Sequence, residues 1–267
     1  MSNTLNPHEL YYPSSTKLEF KPQTSAYAVC IPVMNEGSHF QQQIQLMTEL
    51  GIQEVADIII LDGNSSDGST SPDFLRDKVR TVLINNSNDT GLGADYRMGL
   101  AYAMQEGYRG VITIDGHGKD DPSSIPDFIR ELEDGWDFIQ GSRFIKHGNA
   151  VNTPQSRKFA IRYIHSPLIS LGAGFTFTDS TNGYRGLSPK LILHPDVNIF
   201  RNIFVGYELL AYISVAAARA GLRVKEIPVT RRYPPDGTVP TKIVGVKAKL
   251  DVLLGVLKVI FGYYSPN

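Results

Sequence analysis

The sequence predicts a single α/β domain in which helices flank a mostly parallel sheet. Two observations predict it: short, β-branched apolar runs recur along the chain, and amphipathic helical patterns alternate with them. Near-continuous apolar runs are typical of strands that are buried on both faces of a parallel sheet. The chain has 267 residues, a length that α/β folds often form as one unit.

The predicted elements follow one another in a regular rhythm of strand and helix. Strands are predicted at Ala26–Val33, Ala56–Asp62, Arg80–Ile84, Gly110–Asp115, Trp136–Ser142, Gly183–Leu187 and Arg223–Val229. Helices are predicted at Ser38–Leu50, Pro72–Lys78, Gly93–Gln105, Gln155–Leu171, Gly206–Ala220 and Thr241–Phe261. Because crossovers in such folds are right-handed, the carboxyl ends of the parallel strands should meet at one edge, where ligands bind.

The chain divides into three predicted regions: a polar N-terminal tail at 1–25, the α/β domain at 26–240 and a C-terminal amphipathic helix at 241–267. The tail lacks the apolar core of a signal peptide. A spanning helix needs about 20 mostly apolar residues, and Lys249 and Asp251 interrupt the C-terminal stretch. We expect no spanning segment. The last helix either packs on the sheet or lies on a membrane surface.

Charge and cysteine content narrow the class of function. Lys and Arg number 26 against 27 Asp and Glu, which gives a net charge of -1. This balance excludes a broadly basic nucleic-acid-binding protein, so no nucleic acid is expected as a partner. A lone cysteine, Cys30, excludes an intramolecular disulfide framework and a multi-cysteine zinc site. It fits a reducing compartment, and we expect a cytoplasmic protein, with peripheral attachment to the cytoplasmic membrane face left open.

A polar loop, Asp62–Thr70 (DGNSSDGST), follows the second predicted strand. One interpretation is a turn in which Asp67 or Ser69 caps the next helix, and we favour it for Asp67. The other is a binding loop whose carboxylate accepts hydrogen bonds from a nucleotide base or ribose, and we favour it for Asp62.

The tripeptide Asp115-Gly116-His117 follows the fourth predicted strand. Side chains two residues apart point the same way, so the carboxylate and the imidazole can face one ligand. This pair suits Mn²⁺ or Mg²⁺, with phosphate oxygens filling the remaining positions. The alternative is a glycine-rich turn with solvated side chains.

Several basic residues on predicted loops could neutralise a diphosphate. They are Arg143, Arg185, Arg231, Arg232 and Lys242. Such residues commonly do no more than solvate the surface. The phosphate-binding loop of NTPases, the dinucleotide-binding glycine fingerprint and the serine-hydrolase elbow are all absent from the sequence.

Seven motifs in sequence order, from about Tyr27 to Lys242, resemble those of glycosyltransferase family 2, in particular the dolichyl-phosphate mannose synthase and polyprenyl-phosphate glycosyltransferase group. They are Ile31–Glu36, Asp62–Gly68, Gly91–Ala94 with Gly99, Asp115–Pro126, Gly141–Phe144, Asp179–Arg185 and Glu226–Val229.

The resemblance implies a GT-A fold, which is Rossmann-like, a nucleotide-sugar donor and a divalent cation, Mn²⁺ or Mg²⁺.

The resemblance also assigns roles to individual residues. Pro32, Met34 and Glu36 would lie along the nucleotide, and Ile60 and Asp62 against the base and ribose. Asp115, Gly116 and His117 would take the metal and diphosphate, with Asp115 and His117 as metal ligands. Arg143, Arg232 and Lys242 would close over the phosphates, and Asp179 and Arg185 would line the acceptor side. Asp115, Asp179, Arg143 and Arg185 are the expected catalytic residues.

The sequence departs from the family pattern at three positions. His117 stands where the family usually has the second Asp of Asp-x-Asp, which bears on metal preference. Gly63 replaces the second acidic residue of the usual Asp-Asp-Gly-Ser loop. The family's acidic residue in the late helix falls at Tyr212, and Glu208 lies one turn earlier on the same face.

We therefore expect an inverting glycosyltransferase that moves a hexose from GDP-mannose or a UDP-hexose to a polyprenyl phosphate, with homo-oligomerisation left open. A phosphate acceptor is already anionic, whereas a hydroxyl acceptor would need a base, for which Asp179 and Glu208 are the candidates. Three alternatives remain: transfer to a saccharide hydroxyl, a nucleotidyltransferase, and an inactive nucleotide-sugar-binding protein, the last motivated by His117.

Overall fold

The computed structural model describes residues 4–235 and 245–266, and in them it confirms the α/β fold. Eight strands form the central sheet: β1 Ser15–Glu19, β2 Tyr27–Val33, β3 Asp57–Asp62, β4 Thr81–Asn85, β5 Gly110–Thr113, β6 Phe138–Ser142, β8 Arg185–Leu187 and β9 Val224–Pro228. Two more, β7 Asn149–Val151 and β10 Thr230–Arg232, pair in parallel beside it.

The order of the central sheet is β1-β4-β3-β2-β5-β8-β6-β9. Strands β4, β3, β2 and β5 run parallel to one another. Strand β8 is antiparallel to both of its neighbours, β5 and β6, and β9 is parallel to β6. The mostly parallel sheet therefore brings the carboxyl ends of β2, β3 and β5 to one edge.

Helices cover both faces of the sheet. They are α1 Gly37–Glu49, α2 Ile52–Val55, α3 Pro72–Leu75, α4 Leu92–Gln105, α5 Ile125–Glu133, α6 Gln155–Ala160, α7 Ser166–Ala173, α8 Pro189–Ile192, α9 Glu208–Arg219 and α10 Gly245–Ile260. Buried side chains of α4, α7, α9 and α10 share one apolar cluster, and those of α1 and α5 share the other. A π turn, Ile161–His165, joins α6 to α7.

Every strand and helix predicted from the sequence has a counterpart in the structure, within a few residues at its ends. Strands β1, β7 and β10 and helices α2, α5 and α8 were not predicted. Strand β1 lies within the segment predicted to be a polar tail, and it pairs antiparallel with β4. Its sequence, STKLE, has no apolar run because an edge strand with both faces partly exposed needs none.

The predicted C-terminal helix is present as α10, although residues 241–244 of the prediction lie outside the described residues. Val256 and Val259 are buried against the core, so this helix packs on the domain. None of the described helices combines the length and the apolar character needed to cross a bilayer.

Gly116 marks a close approach at the ligand edge of the sheet. A Cβ atom at this position would lie 2.6 Å from the carbonyl oxygen of Pro32. That oxygen belongs to the backbone of β2, a buried central strand whose neighbours on both sides restrict its movement. Glycine is therefore required here by packing.

We expect Gly116→Ala to lower the free energy of unfolding by about 1–3 kcal/mol, the usual cost of inserting a methyl group into a packed interior. Gly255→Ala is the matched control. Its Cβ would meet Cβ of Glu208 no closer than 4.0 Å, and alanine favours the helix by up to about 1 kcal/mol. Urea unfolding of both variants measures the difference. If the two variants had equal free energies of unfolding, strand β2 would be able to move away from the added methyl group.

Candidate active site

Three side chains that can bind a cation converge beyond the carboxyl end of β5. Asp115, His117 and Asp120 each offer one ligand atom, and these atoms lie within 4.8 Å of one another. Asp115 follows the strand by two residues, and Asp120 is buried in the loop that leads to α5. The structure therefore brings together the two metal ligands predicted from the sequence and adds a third.

The guanidinium of Arg231, from β10, lies at the centre of this cluster. Its Nη1 donates to Oδ2 of Asp120 at 2.7 Å, to Oδ2 of Asp115 at 3.1 Å and to Oδ1 of Asn182 at 2.9 Å. Its Nη2 donates to Oδ2 of Asp115 at 3.2 Å and to Nε2 of His117 at 2.9 Å. One cation thus binds all three candidate ligands.

Burial and charge set the protonation of this cluster. Burial lowers the pKa of His117 to about 4, so the ring is neutral near pH 7. Burial acts to raise the pKa of Asp115, but His117 and Arg231 outweigh it and hold that pKa below its usual range. Burial raises the pKa of Asp120 to about 6, against the attraction of Arg231. Both carboxylates are therefore mainly ionised near pH 7.

The cluster fits a divalent cation. Nε2 of His117 and Oδ2 of Asp115 are 3.1 Å apart. Adjacent ligands of an octahedral ion, with bonds of about 2.1 Å, lie about 3 Å apart. Oδ1 of Asp120 is buried and has no hydrogen-bond partner among the described residues. Two carboxylates and a neutral imidazole suit Mn²⁺ well.

The loop residues directly before β8, Asn182 and Gly183, lie against Asp115 and its strand. Oγ1 of Thr113 donates to the carbonyl of Gly183 at 2.7 Å. A Cβ on Gly183 would lie 2.4 Å from Oδ1 of Asp115, so glycine leaves room for the carboxylate. Asn182, whose side chain accepts from Arg231, uses its carbonyl to accept from Nε of Arg185.

Arg185 is buried, with its guanidinium bound to backbone carbonyls. It donates to the carbonyls of Ser180, Asn182 and Leu210, and it thereby ties the loop to α9. Burial lowers its pKa to about 10. In this structure Arg185 positions the backbone that supports the cluster.

Arg143 and Asp179 form a fully buried ion pair. Nε and Nη2 of Arg143 donate to the two carboxylate oxygens at 2.6 and 2.7 Å, and its backbone N–H adds a third bond. Glu226, in the last of the seven motifs, accepts from the backbone of Thr178 and Asp179. The predicted phosphate-binding arginine and the predicted acceptor-side carboxylate are therefore bound to each other.

The loops after β2 and β3 are tied together by hydrogen bonds. The carboxylate of Asp62 accepts from the backbone of Ser65 at 2.7 Å and from Oγ1 of Thr70 at 2.8 Å. Asp67 accepts from Ser69 and from the backbone of Gly37, which confirms a turn at this residue, but neither Asp67 nor Ser69 caps α3, whose N-cap is Ser71. The Asp62 carboxylate therefore stabilises the loop 62–70, in which both of its partners lie.

The remaining residues predicted to bind the donor differ in exposure. Met34 is 43% exposed at the end of β2, and Glu36 is half-buried beside it. Pro32 and Ile60 are buried within their strands, and Ile60 belongs to the hydrophobic core. Arg232 is exposed, and its Nη2 lies 3.6 Å from Oδ2 of Asp121. Lys242 lies outside the described residues.

Two further residues beside the cluster were not identified from the sequence. Lys119 is buried, and burial together with repulsion from Arg231 lowers its pKa to about 7. Burial raises the pKa of Tyr207, and the charges of Asp115 and Glu36 add to the effect. Tyr207 therefore lies near both the cluster and the β2 loop. The signal for Lys119 in the sequence was its place directly before Asp120 and Asp121, whereas its lowered pKa depends on burial in the folded protein.

Relatives of known name align with most of the chain. An undecaprenyl-phosphate mannosyltransferase of Micrococcus luteus is 28% identical over 178 residues, which are 66% of this chain and 71% of that protein. A polyprenol monophosphomannose synthase of Mycolicibacterium smegmatis is 25% identical over 177 residues, which are 65% of each protein. The chain thus spans about two thirds of the length of these relatives.

The fold is also found in a solved structure. The glucosyl-3-phosphoglycerate synthase of Mycobacterium tuberculosis, crystallised with Mn²⁺, UDP and glucosyl-3-phosphoglycerate, superimposes with a TM-score of 0.59 at 15% identity. The match covers 88% of this chain and 80% of that one. At this identity the likeness shows a shared fold, which confirms the GT-A prediction.

The family model described as glycosyl transferase family 2 matches residues 28–192, well over half of the chain. This range contains β3, β5 and all but the first residue of β2, together with Asp115, His117 and Asp120. The chain is therefore a glycosyltransferase and belongs to glycosyl transferase family 2.

Proposed function

We propose that this glycosyltransferase is metal-dependent and transfers a hexose, with inversion, from GDP-mannose or a UDP-hexose to a polyprenyl phosphate. The observation that carries the proposal is the convergence of Asp115, His117 and Asp120 at the ligand edge of a GT-A sheet. The names of the two relatives support the lipid phosphate acceptor and the mannosyl group.

The donor would lie between the β2 and β3 loops and the cation-binding cluster. The base and ribose would follow the loops that carry Met34, Glu36 and Asp62, and the diphosphate would reach Asp115. A divalent cation held by Asp115, His117 and Asp120 would neutralise charge on the diphosphate. Lys119 and Arg231 supply further positive charge beside it.

The two candidate bases support an acceptor that needs none. Asp179 is fully buried, and both of its oxygens accept from Arg143. Oε1 of Glu208 accepts from the backbone of Val205 and Gly206 at the start of α9. A sugar hydroxyl would require one of them to take a proton. A phosphate monoester is already ionised near pH 7, because its second pKa is about 6.

The proposed reaction therefore needs no proton transfer. An anionic oxygen of the acceptor phosphate forms a bond to the anomeric carbon from the face opposite the diphosphate. The bond between that carbon and the diphosphate oxygen breaks, and its electron pair leaves with the nucleoside diphosphate. Attack from the opposite face inverts the anomeric configuration. The enzyme's task is alignment and charge compensation.

An exposed apolar surface supports a lipid acceptor. Phe159 and Tyr163 project into solvent from α6 and the π turn, with their ring centroids 5.1 Å apart. Leu171 of α7 is also exposed, as are Leu250 and Leu254 of the neighbouring helix α10. Aromatic and aliphatic side chains on exposed helices suit the boundary between lipid headgroups and acyl chains. This surface begins close to the cluster, since Arg157 of α6 contacts Tyr233, which lies beside Lys119.

We expect Asp115→Asn to lower Mn²⁺-dependent turnover at least about a hundredfold, because it removes a charged ligand from the cluster. His117→Asp should retain turnover and shift the metal preference from Mn²⁺ towards Mg²⁺, since it gives an all-oxygen site. Transfer of labelled hexose from GDP-mannose and UDP-glucose to a polyprenyl phosphate measures both. Asp127→Asn, which removes only a surface ion pair with Arg130, is the control. Full turnover in EDTA would contradict the metal requirement.

We expect Arg143→Met and Asp179→Leu each to lower the free energy of unfolding by about 3–5 kcal/mol, because each leaves a buried charge without its partner. The double variant should recover most of that loss, since it leaves neither charge. A double-mutant cycle in urea measures the coupling. Additive losses would mean that the two residues do not act as a pair.

We expect Leu250→Ser with Leu254→Ser to weaken binding to anionic phospholipid vesicles at least about tenfold. Each leucine is about half exposed, so its transfer into lipid is worth roughly 1 kcal/mol. Leu46→Ser with Leu50→Ser is the matched control, because these exposed leucines lie at the end of α1 on the other face of the sheet. Vesicle co-sedimentation compares the pairs. Equal losses, or none, would argue against a membrane surface at α10.

A further inference from the structure

The atoms suited to hold a divalent cation already hold another cation. Nη1 of Arg231 donates to the facing oxygens of Asp115 and Asp120, and Nη2 donates to Nε2 of His117. These three acceptors belong to the three side chains that form the candidate cation site. The guanidinium and a metal ion would therefore compete for the same lone pairs.

The contact between His117 and Asp115 shows that these lone pairs face a cation. A guanidinium only donates, so Nε2 of His117 is the acceptor in its hydrogen bond with Arg231. Nε2 nevertheless lies 3.1 Å from Oδ2 of Asp115, which is also an acceptor. Two acceptors repel each other at this distance unless a positive charge contacts both. Nη2 of Arg231 does so, because it donates to Nε2 of His117 and to Oδ2 of Asp115.

Both cations cannot occupy the cluster together. A metal ion bound to Oδ2 of Asp115 and Oδ2 of Asp120 would take the oxygens that lie 3.1 and 2.7 Å from Nη1, and its charge would repel the guanidinium at close range. Nε of Arg231 is buried and has no hydrogen-bond partner among the described residues, so no bond at this atom opposes a movement of the guanidinium. Its strand, β10, lies in the two-stranded sheet outside the central one.

We propose that Arg231 is an internal competitor for the divalent cation, occupying the Asp115–His117–Asp120 site in the metal-free protein and leaving it when metal binds. The inference rests on the proposed function only in that the cluster takes a divalent cation. Displacement places a free guanidinium beside the expected position of the diphosphate. Metal therefore binds weakly alone and more tightly with a nucleoside diphosphate, whose oxygens accept the released guanidinium.

The experiment is a Mn²⁺ titration of the whole protein, followed by the electron paramagnetic resonance signal of free Mn²⁺. Arg231→Met should bind Mn²⁺ at least about tenfold more tightly than the unaltered protein in the absence of nucleotide. Adding GDP or UDP should raise the affinity of the unaltered protein more than that of the variant. Arg130→Met is the control, because the exposed Arg130 forms a surface ion pair with Asp127 and touches none of the three ligands, and the affinity of this variant for Mn²⁺ should stay within about twofold.

The outcomes separate the two proposals. Unchanged Mn²⁺ affinity in Arg231→Met, together with its loss in Asp115→Asn, would overturn the competition and leave the metal site standing. Unchanged affinity in Asp115→Asn would instead overturn the metal site itself, and with it the metal-dependent function.

A second measurement needs no variant and covers the case in which Arg231→Met does not fold. Phenylglyoxal modification is quantified at Arg231 and Arg232 by mass spectrometry, under argon, with and without Mn²⁺ and without nucleotide. The Arg231 side chain is 7% exposed and that of Arg232 is 60% exposed. Mn²⁺ should accelerate modification of Arg231 several-fold and leave Arg232 unchanged. An Arg231 rate that Mn²⁺ does not raise would overturn the inference.

Discussion

The compensation of two neighbouring carboxylates by one guanidinium is the interaction on which the rest of the site depends. The partly buried Asp115 and the buried Asp120 lie close together, and two uncompensated negative charges there would repel each other and lose hydration. Arg231 binds both and also satisfies His117 and Asn182. The local geometry of the cluster is therefore that of a cation site, whichever cation fills it.

A second set of buried polar groups keeps this cluster in place. Arg185 holds the loop of Asn182 by its backbone carbonyls, and Gly183 leaves the space that the Asp115 carboxylate fills. Arg143 and Asp179 anchor the start of the same loop, with Glu226 accepting from its backbone. Buried polar networks of this kind are costly when incomplete and rigid when satisfied. The loop is consequently a precise support for the reacting groups.

The same network bears on the chemistry. A carboxylate whose two oxygens both accept hydrogen bonds from an arginine takes up a proton poorly. The buried pair of Arg143 and Asp179 therefore favours an acceptor substrate that is already ionised. A lipid phosphate meets this requirement, and the exposed apolar side chains of α6, α7 and α10 provide a surface on which a lipid could be presented. Electrostatics and surface composition thus favour the same class of acceptor from independent observations.

The sequence by itself determined the α/β class, the seven predicted strands and the pairing of Asp115 with His117. Each depends on short-range information: apolar runs specify strands, and residues two apart beyond a strand face one ligand. Strand β1 was missed because a polar edge strand carries no such pattern.

Only the tertiary structure decided which distant residues meet. Arg231 is 116 residues from Asp115 and 111 from Asp120, and no local pattern relates them. Likewise, Arg143 and Asp179 were predicted to face different substrates, yet they bind each other across 36 residues. A charged residue can be recognised from sequence, but its partner is chosen by burial, because an ion inside the protein must be paired wherever the fold brings an opposite charge.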